Sequence, residues 1–220
     1  MKRIQKQFYL SAVFLILFTM LTIAICCVDV QQIGPQESAV GLARINRFVH
    51  NLTGVHWGLY VATDWLSLVP VGVCTGFAAL GLIQWIKRKT ISRVDYSIRL
   101  LGLFYIVTIG IFFLFEHITV NYRPVLINGR LEGSYPSSTT LLTMCVMLTA
   151  MLQWRIRIQN RKIRCAVVLF SGIFTAFMVI GRLISGVHWV TDIIGGGLLS
   201  FGLVIMYDAF CRLQQHTSHT

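Results

Sequence analysis

Six long apolar runs, almost free of charge, constrain this chain most. They lie at about 8–28, 59–86, 94–116, 138–154, 165–182 and 189–210, and a helix needs about 20 such residues to cross roughly 30 Å of hydrocarbon. Only 12% of all residues are charged, against roughly a quarter in a soluble domain. We therefore predict a single integral membrane domain over residues 1–220, of the all-α class, built as a six-span transmembrane helical bundle.

The first apolar run follows Met1-Lys2-Arg3, which is also how a signal peptide begins. The run ends in Cys26-Cys27-Val28 without a clear small-x-small cleavage site, so we interpret it as a retained signal anchor. The chain has six cysteines, all in or beside the apolar runs and none in a Cys-x-x-Cys pair. They indicate small core residues, not a disulfide framework or a zinc site.

Basic residues are concentrated in every second connection. They are Lys2, Arg3, Lys6, Lys87, Arg88, Lys89, Arg93, Arg155, Arg157, Arg161, Lys162, Arg164 and Arg212. The positive-inside rule places these residues and both termini in the cytoplasm. They also explain most of the net charge of +11, which favours anionic lipid head groups. No basic face with interleaved aromatic residues predicts binding to nucleic acid.

The opposite connections, at about 31–58, 117–137 and 183–188, are predicted to face outside. The first of them has apolar residues at helical spacing, which predicts an amphipathic helix over about 38–52 that lies on the outer leaflet. At the far end of the chain, His216 and His219 lie in a polar tail that we expect to be disordered.

The outer connections also contain the residues that indicate phosphate chemistry. His188 and Asp192 are four residues apart and so share one helix face, where the carboxylate can orient the imidazole as a nucleophile. The alternative is a pair that only caps a helix. Arg123 and Arg182 alone would each be interface anchors, but together their donor forks suit the oxygens of a phosphoryl group. Asp64 either pairs with one of these arginines or marks the interface.

The fourth span opens with Pro136-Ser137-Ser138-Thr139-Thr140. Proline is favoured in the first turn of a helix, and Ser137 is a good N-cap residue. The free N–H groups of Ser138 and Thr139, with the Ser137 hydroxyl, would form an anion cradle at the positive end of the helix dipole.

These residues and their spacing resemble the type-2 phosphatidic acid phosphatase superfamily, membrane lipid phosphatases that share a fold core with vanadium haloperoxidases. That family has three motifs, Lys-x6-Arg-Pro, Pro-Ser-Gly-His and Ser-Arg-x5-His-x3-Asp. Here the third motif reads Gly181-Arg182-x5-His188-x3-Asp192, the second Pro136-Ser137-Ser138-Thr139, and the first Glu116-x6-Arg123-Pro124. The resemblance implies that His188 is the nucleophile and Asp192 its orienting carboxylate. It implies that Arg123, Ser137, Ser138, Thr139 and Arg182 bind the phosphate.

Two positions depart from the family pattern. Thr139 stands where the family has the histidine that protonates the leaving group, and a threonine hydroxyl is a poor acid near neutral pH. Glu116 stands where the family has a lysine. Either Glu116 is an interface residue, or it or His117 supplies the missing proton, because a carboxyl at a membrane boundary can have a raised pKa.

We therefore expect a membrane lipid phosphatase whose active site lies at the extracytoplasmic ends of spans 3 to 6. The substrate class is a lipid phosphate or pyrophosphate, such as phosphatidic acid, phosphatidylglycerol phosphate or a polyprenyl pyrophosphate, with no cofactor and no metal. One alternative is a lipid-phosphate-binding or scaffold protein that lost the acid. A lipid transporter is disfavoured because the spans contain almost no ionisable residues at their centres.

Overall fold

The computed structural model describes residues 1–217 and is almost entirely helical. The helices are α1 (Lys2–Cys27), α2 (Ala43–Thr53), α3 (Trp57–Leu66), α4 (Leu68–Arg88), α5 (Tyr96–His117), α6 (Ser138–Arg157), α7 (Arg161–Ile184) and α8 (Val190–Thr217). Two short strands, β1 (Gln31–Gln32) and β2 (Ala39–Val40), pair antiparallel before α2. Short 3₁₀ turns cover Pro35–Glu37 and Ile91–Arg93.

Within residues 1–217, six helical segments are long and apolar enough to span a membrane, as the sequence predicts. The second of them is not continuous, because α3 ends at Leu66 and α4 begins at Leu68. Pro70 has no N–H to donate to the carbonyl of Leu66. At the break itself, the Ser67 hydroxyl donates to the carbonyl of Asp64 at 2.5 Å. The chain is therefore a multi-pass membrane protein of the all-α class.

The centre of the bundle is α6, which packs against α4, α5, α7 and α8, while α1 lies along α8. Two glycines of α8 allow it to approach the start of α6. A Cβ atom at Gly195 would lie 2.5 Å from the Tyr135 ring, and one at Gly196 would lie 3.2 Å from the Ser137 carbonyl oxygen. This close approach brings the first turn of α8 next to the first turn of α6.

Asp95 links three helices at the opposite end of the bundle. Its carboxylate accepts hydrogen bonds from Arg88 of α4 at 2.8 Å and from Arg157 of α6 at 3.0 Å. Since Asp95 immediately precedes α5, the contact fixes the ends of α4, α5 and α6 relative to one another. This end is the one that the basic connections predict to be cytoplasmic.

Two sequence predictions need correction at their boundaries. The amphipathic helix begins at Ala43 and not near residue 38, because Ala39–Val40 pair with β1 and Leu42 has a left-handed φ of 47°. The predicted disordered tail is wrong for His216, since α8 continues to Thr217, whereas His219 lies outside the described residues.

Candidate active site

Four segments meet at one end of the bundle and enclose a cavity of about 130 Å³. The connection after α5 contributes Arg123, the start of α6 contributes Ser138, and the connection between α7 and α8 contributes His188. Asp192 lies behind His188 in the first turn of α8 and is fully buried. The fold therefore brings together residues from all three predicted motifs.

The His188 imidazole lies between a carboxylate and a guanidinium. Its Nδ1 is 3.5 Å from Oδ2 of Asp192, and its Nε2 is 3.1 Å from Nη1 of Arg123. A guanidinium can only donate, so Nε2 accepts and the ring proton lies on Nδ1, towards the carboxylate. This tautomer leaves the Nε2 lone pair at the cavity wall, as a nucleophilic imidazole requires.

Burial also sets the charge of His188, whose exposed fraction is 3%. Burial lowers the pKa of the imidazole well below its usual range, and the charges of Arg123 and Arg182 lower it further. The Ser134 carbonyl acts in the opposite direction and is outweighed. The ring is therefore neutral at neutral pH, and its Nε2 lone pair accepts the hydrogen bond from Arg123.

Arg123 is held at the cavity wall by Glu132 as well as by His188. Its Nε lies 3.3 Å from Oε2 of Glu132, and its backbone N–H donates to the Glu132 carbonyl at 3.0 Å. The Glu132 side chain is 42% exposed, so water screens its attraction for the guanidinium. The terminal donors of Arg123 can therefore serve phosphate oxygens in the cavity.

Arg182 is placed differently, behind the wall and against α3. Its Nη1 lies 3.3 Å from both the Tyr60 carbonyl and the Thr63 hydroxyl oxygen, and its guanidinium lies 4.8 Å from the Tyr60 ring centroid. The predicted pairing with Asp64 is confirmed at 3.6 Å. Within residues 1–217, Arg182 Nε is a buried donor without a partner. Arg182 thus acts on His188 through its charge and retains one unused donor.

The start of α6 combines a helix cap with a wall of the cavity. The Ser137 hydroxyl oxygen accepts from the Thr140 N–H at 3.4 Å, which confirms the predicted cap. Ser137 is fully buried and its own N–H donates to the Asp192 carbonyl at 3.0 Å, so it joins α6 to α8. Ser138 lines the cavity, and first-turn amides such as those of Ser138 and Thr139 have no intrahelical partner. The Thr139 side chain lies behind the wall, with 8% exposure.

The two alternative proton donors occupy different positions at the end of α5. Glu116 lines the cavity. His117 is exposed, and its Nδ1 lies 2.8 Å from the Phe113 carbonyl oxygen, so the ring nitrogen donates there. Glu116 is therefore the better placed of the two. Within the described part of the chain, no three His, Cys, Asp or Glu side chains are arranged to hold a metal ion.

Several residues of the site do not stand out in the sequence. The rest of the cavity wall is formed by Phe112, Phe115, Gly133, Ser134, Tyr135, Pro136 and Leu141. Trp189 links two other parts of the site through hydrogen bonds. Its indole N–H donates to the Tyr122 carbonyl at 2.6 Å, and its backbone N–H donates to the Asp192 carboxylate at 2.9 Å. Its position next to His188 was the available signal, because a large aromatic residue beside a reactive group is often packed against the element that carries it.

Comparison with known proteins gives a family match over part of the chain and a similar fold. Residues 112–214 match the family model of the PAP2 superfamily. A transmembrane PAP2-type phosphatidylglycerolphosphate phosphatase from Bacillus subtilis has a similar structure, with a TM-score of 0.52 and 18% sequence identity over 94% of this chain and 97% of that one. At this identity the structural likeness shows a shared fold alone. No curated protein sequence gives a significant match.

Proposed function

We propose that this chain is a membrane lipid phosphatase acting through a phosphohistidine, and the match of residues 112–214 to the PAP2 superfamily model supports this activity. The observation that supports this most directly is the imidazole of His188. Its Nε2 lone pair is at the wall of a cavity, 3.1 Å from a guanidinium donor of Arg123, and its Nδ1 faces a buried carboxylate. A nucleophile, an orienting group and a phosphate ligand are thus adjacent.

In the first step the Nε2 lone pair of His188 attacks phosphorus, and the bond from phosphorus to the leaving oxygen breaks. Arg123 donates to the phosphoryl oxygens, together with the first-turn amides of Ser138 and Thr139. Asp192 balances the positive charge that develops on the imidazole. In the second step water attacks phosphorus, the phosphorus–nitrogen bond breaks, and inorganic phosphate leaves with neutral His188 restored.

The leaving group needs a proton unless it is itself stable as an anion. Glu116, in the cavity wall, can supply this proton. Ser137 caps α6, and Arg182 contributes positive charge near His188. An alkoxide needs this proton more than a departing phosphate does. The absence of a histidine at Thr139 therefore favours a pyrophosphate over a monophosphate substrate.

The cavity wall supports a lipid as the phosphate donor. Polar groups occupy one part of it, while Phe112, Phe115, Tyr135 and Leu141 form an apolar part. A water-soluble phosphate has nothing to place against these rings, whereas a lipid buries its first methylene groups there. By the positive-inside rule, we place this cavity on the extracytoplasmic side and both termini in the cytoplasm.

A lipid-phosphate-binding protein is the second candidate, and Thr139 is the observation that favours it. Purified protein should be given phosphatidic acid, phosphatidylglycerol phosphate and a polyprenyl pyrophosphate, with phosphate release measured for the wild type and His188→Ala. We expect release from at least one lipid by the wild type and none by the variant. Binding of all three lipids without release would establish the second candidate. Release that survives His188→Ala would exclude the phosphohistidine.

A further inference from the structure

We propose that Asn46 of α2 is a positioning residue, which caps α8 from a separate helix and thereby holds Asp192 against His188. Its effect on turnover rests on the proposed function, whereas the cap itself can be measured without turnover. The cap joins Asn46 to Thr191, which lies 145 positions later in the chain.

The start of α8 needs an acceptor that its own sequence does not provide. The first N–H groups of a helix have no partner inside the helix, and the residue before the helix normally accepts one of them with a side-chain oxygen. Here that residue is Trp189, because α8 begins at Val190. An indole offers only a donor, and that donor is used on the Tyr122 carbonyl.

Asn46 provides the missing acceptor. Its Oδ1 lies 3.3 Å from the backbone nitrogen of Thr191 and 3.1 Å from the Thr191 hydroxyl oxygen. Its Nδ2 donates to the Gly41 carbonyl at 2.8 Å and lies 3.1 Å from the same hydroxyl. The amide side chain is therefore fixed on both sides, with its acceptor at the second residue of α8.

Asp192 completes the arrangement from inside the helix. Its Oδ2 accepts from the Trp189 backbone N–H at 2.9 Å, as the third residue of a capping box does. The box is thus divided, with one half from Asp192 and the other from Asn46 on α2. The same Oδ2 atom faces Nδ1 of His188, so loosening the first turn of α8 moves the atom that orients the imidazole.

The environment of Asn46 supports this role over simple packing. Asn46 has an exposed fraction of 1%, whereas Ile45, Phe48 and Leu52 of the same helix are 58%, 63% and 70% exposed. A buried amide on the protein-facing side of an amphipathic helix is unfavourable unless its hydrogen bonds are satisfied. A second contact comes from His50, whose ring centroid is 5.4 Å from that of Trp189.

The test compares Asn46→Ala with Asn51→Ala, because Asn51 is exposed on the same helix. For the lipid that the wild type hydrolyses, we expect Asn46→Ala to lower kcat about tenfold, because Asp192 then orients the His188 imidazole less well in the transition state, with KM changed by less than about twofold. The acid limb of kcat/KM should also move to lower pH, because Arg123 and Arg182 still face His188 while Asp192 faces it less well. Asn51→Ala should match the wild type. A loss of kcat with an unmoved acid limb would mean a merely structural role and would overturn the proposal.

Hydrogen exchange at residues 190–193 measures the cap without turnover. We expect faster exchange there in Asn46→Ala and wild-type exchange in Asn51→Ala. Thr191→Val, which removes only the hydroxyl, should give a smaller increase and serves if Asn46→Ala does not fold. Unchanged exchange in a folded variant would refute the cap. Faster exchange in a protein whose wild type hydrolyses no lipid phosphate would support the cap and refute the proposed function.

Discussion

Thr139→His tests whether the departure from the family pattern limits catalysis. Thr139 lies one position beyond Ser138, which lines the cavity, and its side chain is 8% exposed. An imidazole attached there must push towards the cavity to reach a leaving oxygen. A positioned general acid contributes about 100- to 10,000-fold to the rate, which corresponds to about 2.7–5.4 kcal/mol of barrier.

The same substitution enlarges a nearly buried side chain. Overpacking of this kind typically costs about 1–3 kcal/mol of stability, and the neighbouring contact between α6 and α8 at Gly196 leaves little room for relaxation. We therefore expect a rate increase nearer to about 100-fold, accompanied by a lower melting temperature. Thr139→Gln is the matched control, since glutamine adds nearly as much volume as histidine and no general acid.

The assay compares turnover of a lipid monophosphate with that of a lipid pyrophosphate in the wild type and both variants. We expect Thr139→His to raise monophosphate turnover selectively, so that the ratio of pyrophosphate to monophosphate turnover falls, and Thr139→Gln to leave the ratio unchanged. An unchanged ratio in Thr139→His, with good monophosphate turnover by the wild type, would refute the reasoning. Glu116→Gln would then show whether Glu116 already supplies the proton.

Three further outcomes follow from the geometry. Asp192→Asn should lower kcat by about 100-fold or more in a folded protein, because an amide cannot hold the tautomer of His188 equally well; near wild-type kcat would contradict its orienting role. The pKa of His188 in the folded protein lies well below 6.5, so the unfolded chain binds a proton at this residue first as the pH falls. Thermal stability should therefore decrease as the pH drops below about 6.5, and it should decrease less in His188→Ala. In the wild type, kcat/KM should stay level through about pH 6.5. The topology can be tested in a background with Cys26, Cys27 and Cys165 changed to serine. A cysteine introduced at Arg130 should react from outside with a membrane-impermeant reagent, and one introduced at Gln159 should not. The reverse result would place the cavity on the cytoplasmic side.

The six spans could be predicted from the sequence because the cost of placing charge in hydrocarbon dominates all other preferences there. The helix boundaries that we did not predict from the sequence depend on weaker, local interactions. The break at Ser67 follows from Pro70, whose missing N–H is visible in the sequence, whereas the late start of α2 depends on the pairing of β1 with β2. Which side of the membrane each connection faces stays a prediction.

The site was predictable where one element contains the whole pattern and not where two distant elements meet. The helical spacing of His188 and Asp192 specifies their common face, and Ser137 is a cap by residue type alone. In contrast, the contact of Asn46 with Thr191 joins residues far apart in the chain, and nothing local distinguishes Asn46 from an ordinary surface residue. For Asp64 the sequence offered the pairing with an arginine as one of two alternatives, and only the fold selects Arg182. The roles assigned to these residues in binding and catalysis stay predictions.

The two arginines contribute differently to the electrostatics of the site, and this difference supports the proposal that the substrate is an anion. Arg123 and Arg182 are 11% and 3% exposed at their side chains, while their partners Glu132 and Asp64 are 42% and 59% exposed. Water screens the carboxylates more than the guanidiniums, so the pairs leave a positive potential beside His188. This potential adds to the effect of burial, which is the larger cause of the lowered pKa of the imidazole. Under the proposed function, a phosphate group in the cavity would offset the potential, so that the imidazole could become positively charged as its nitrogen bonds to phosphorus.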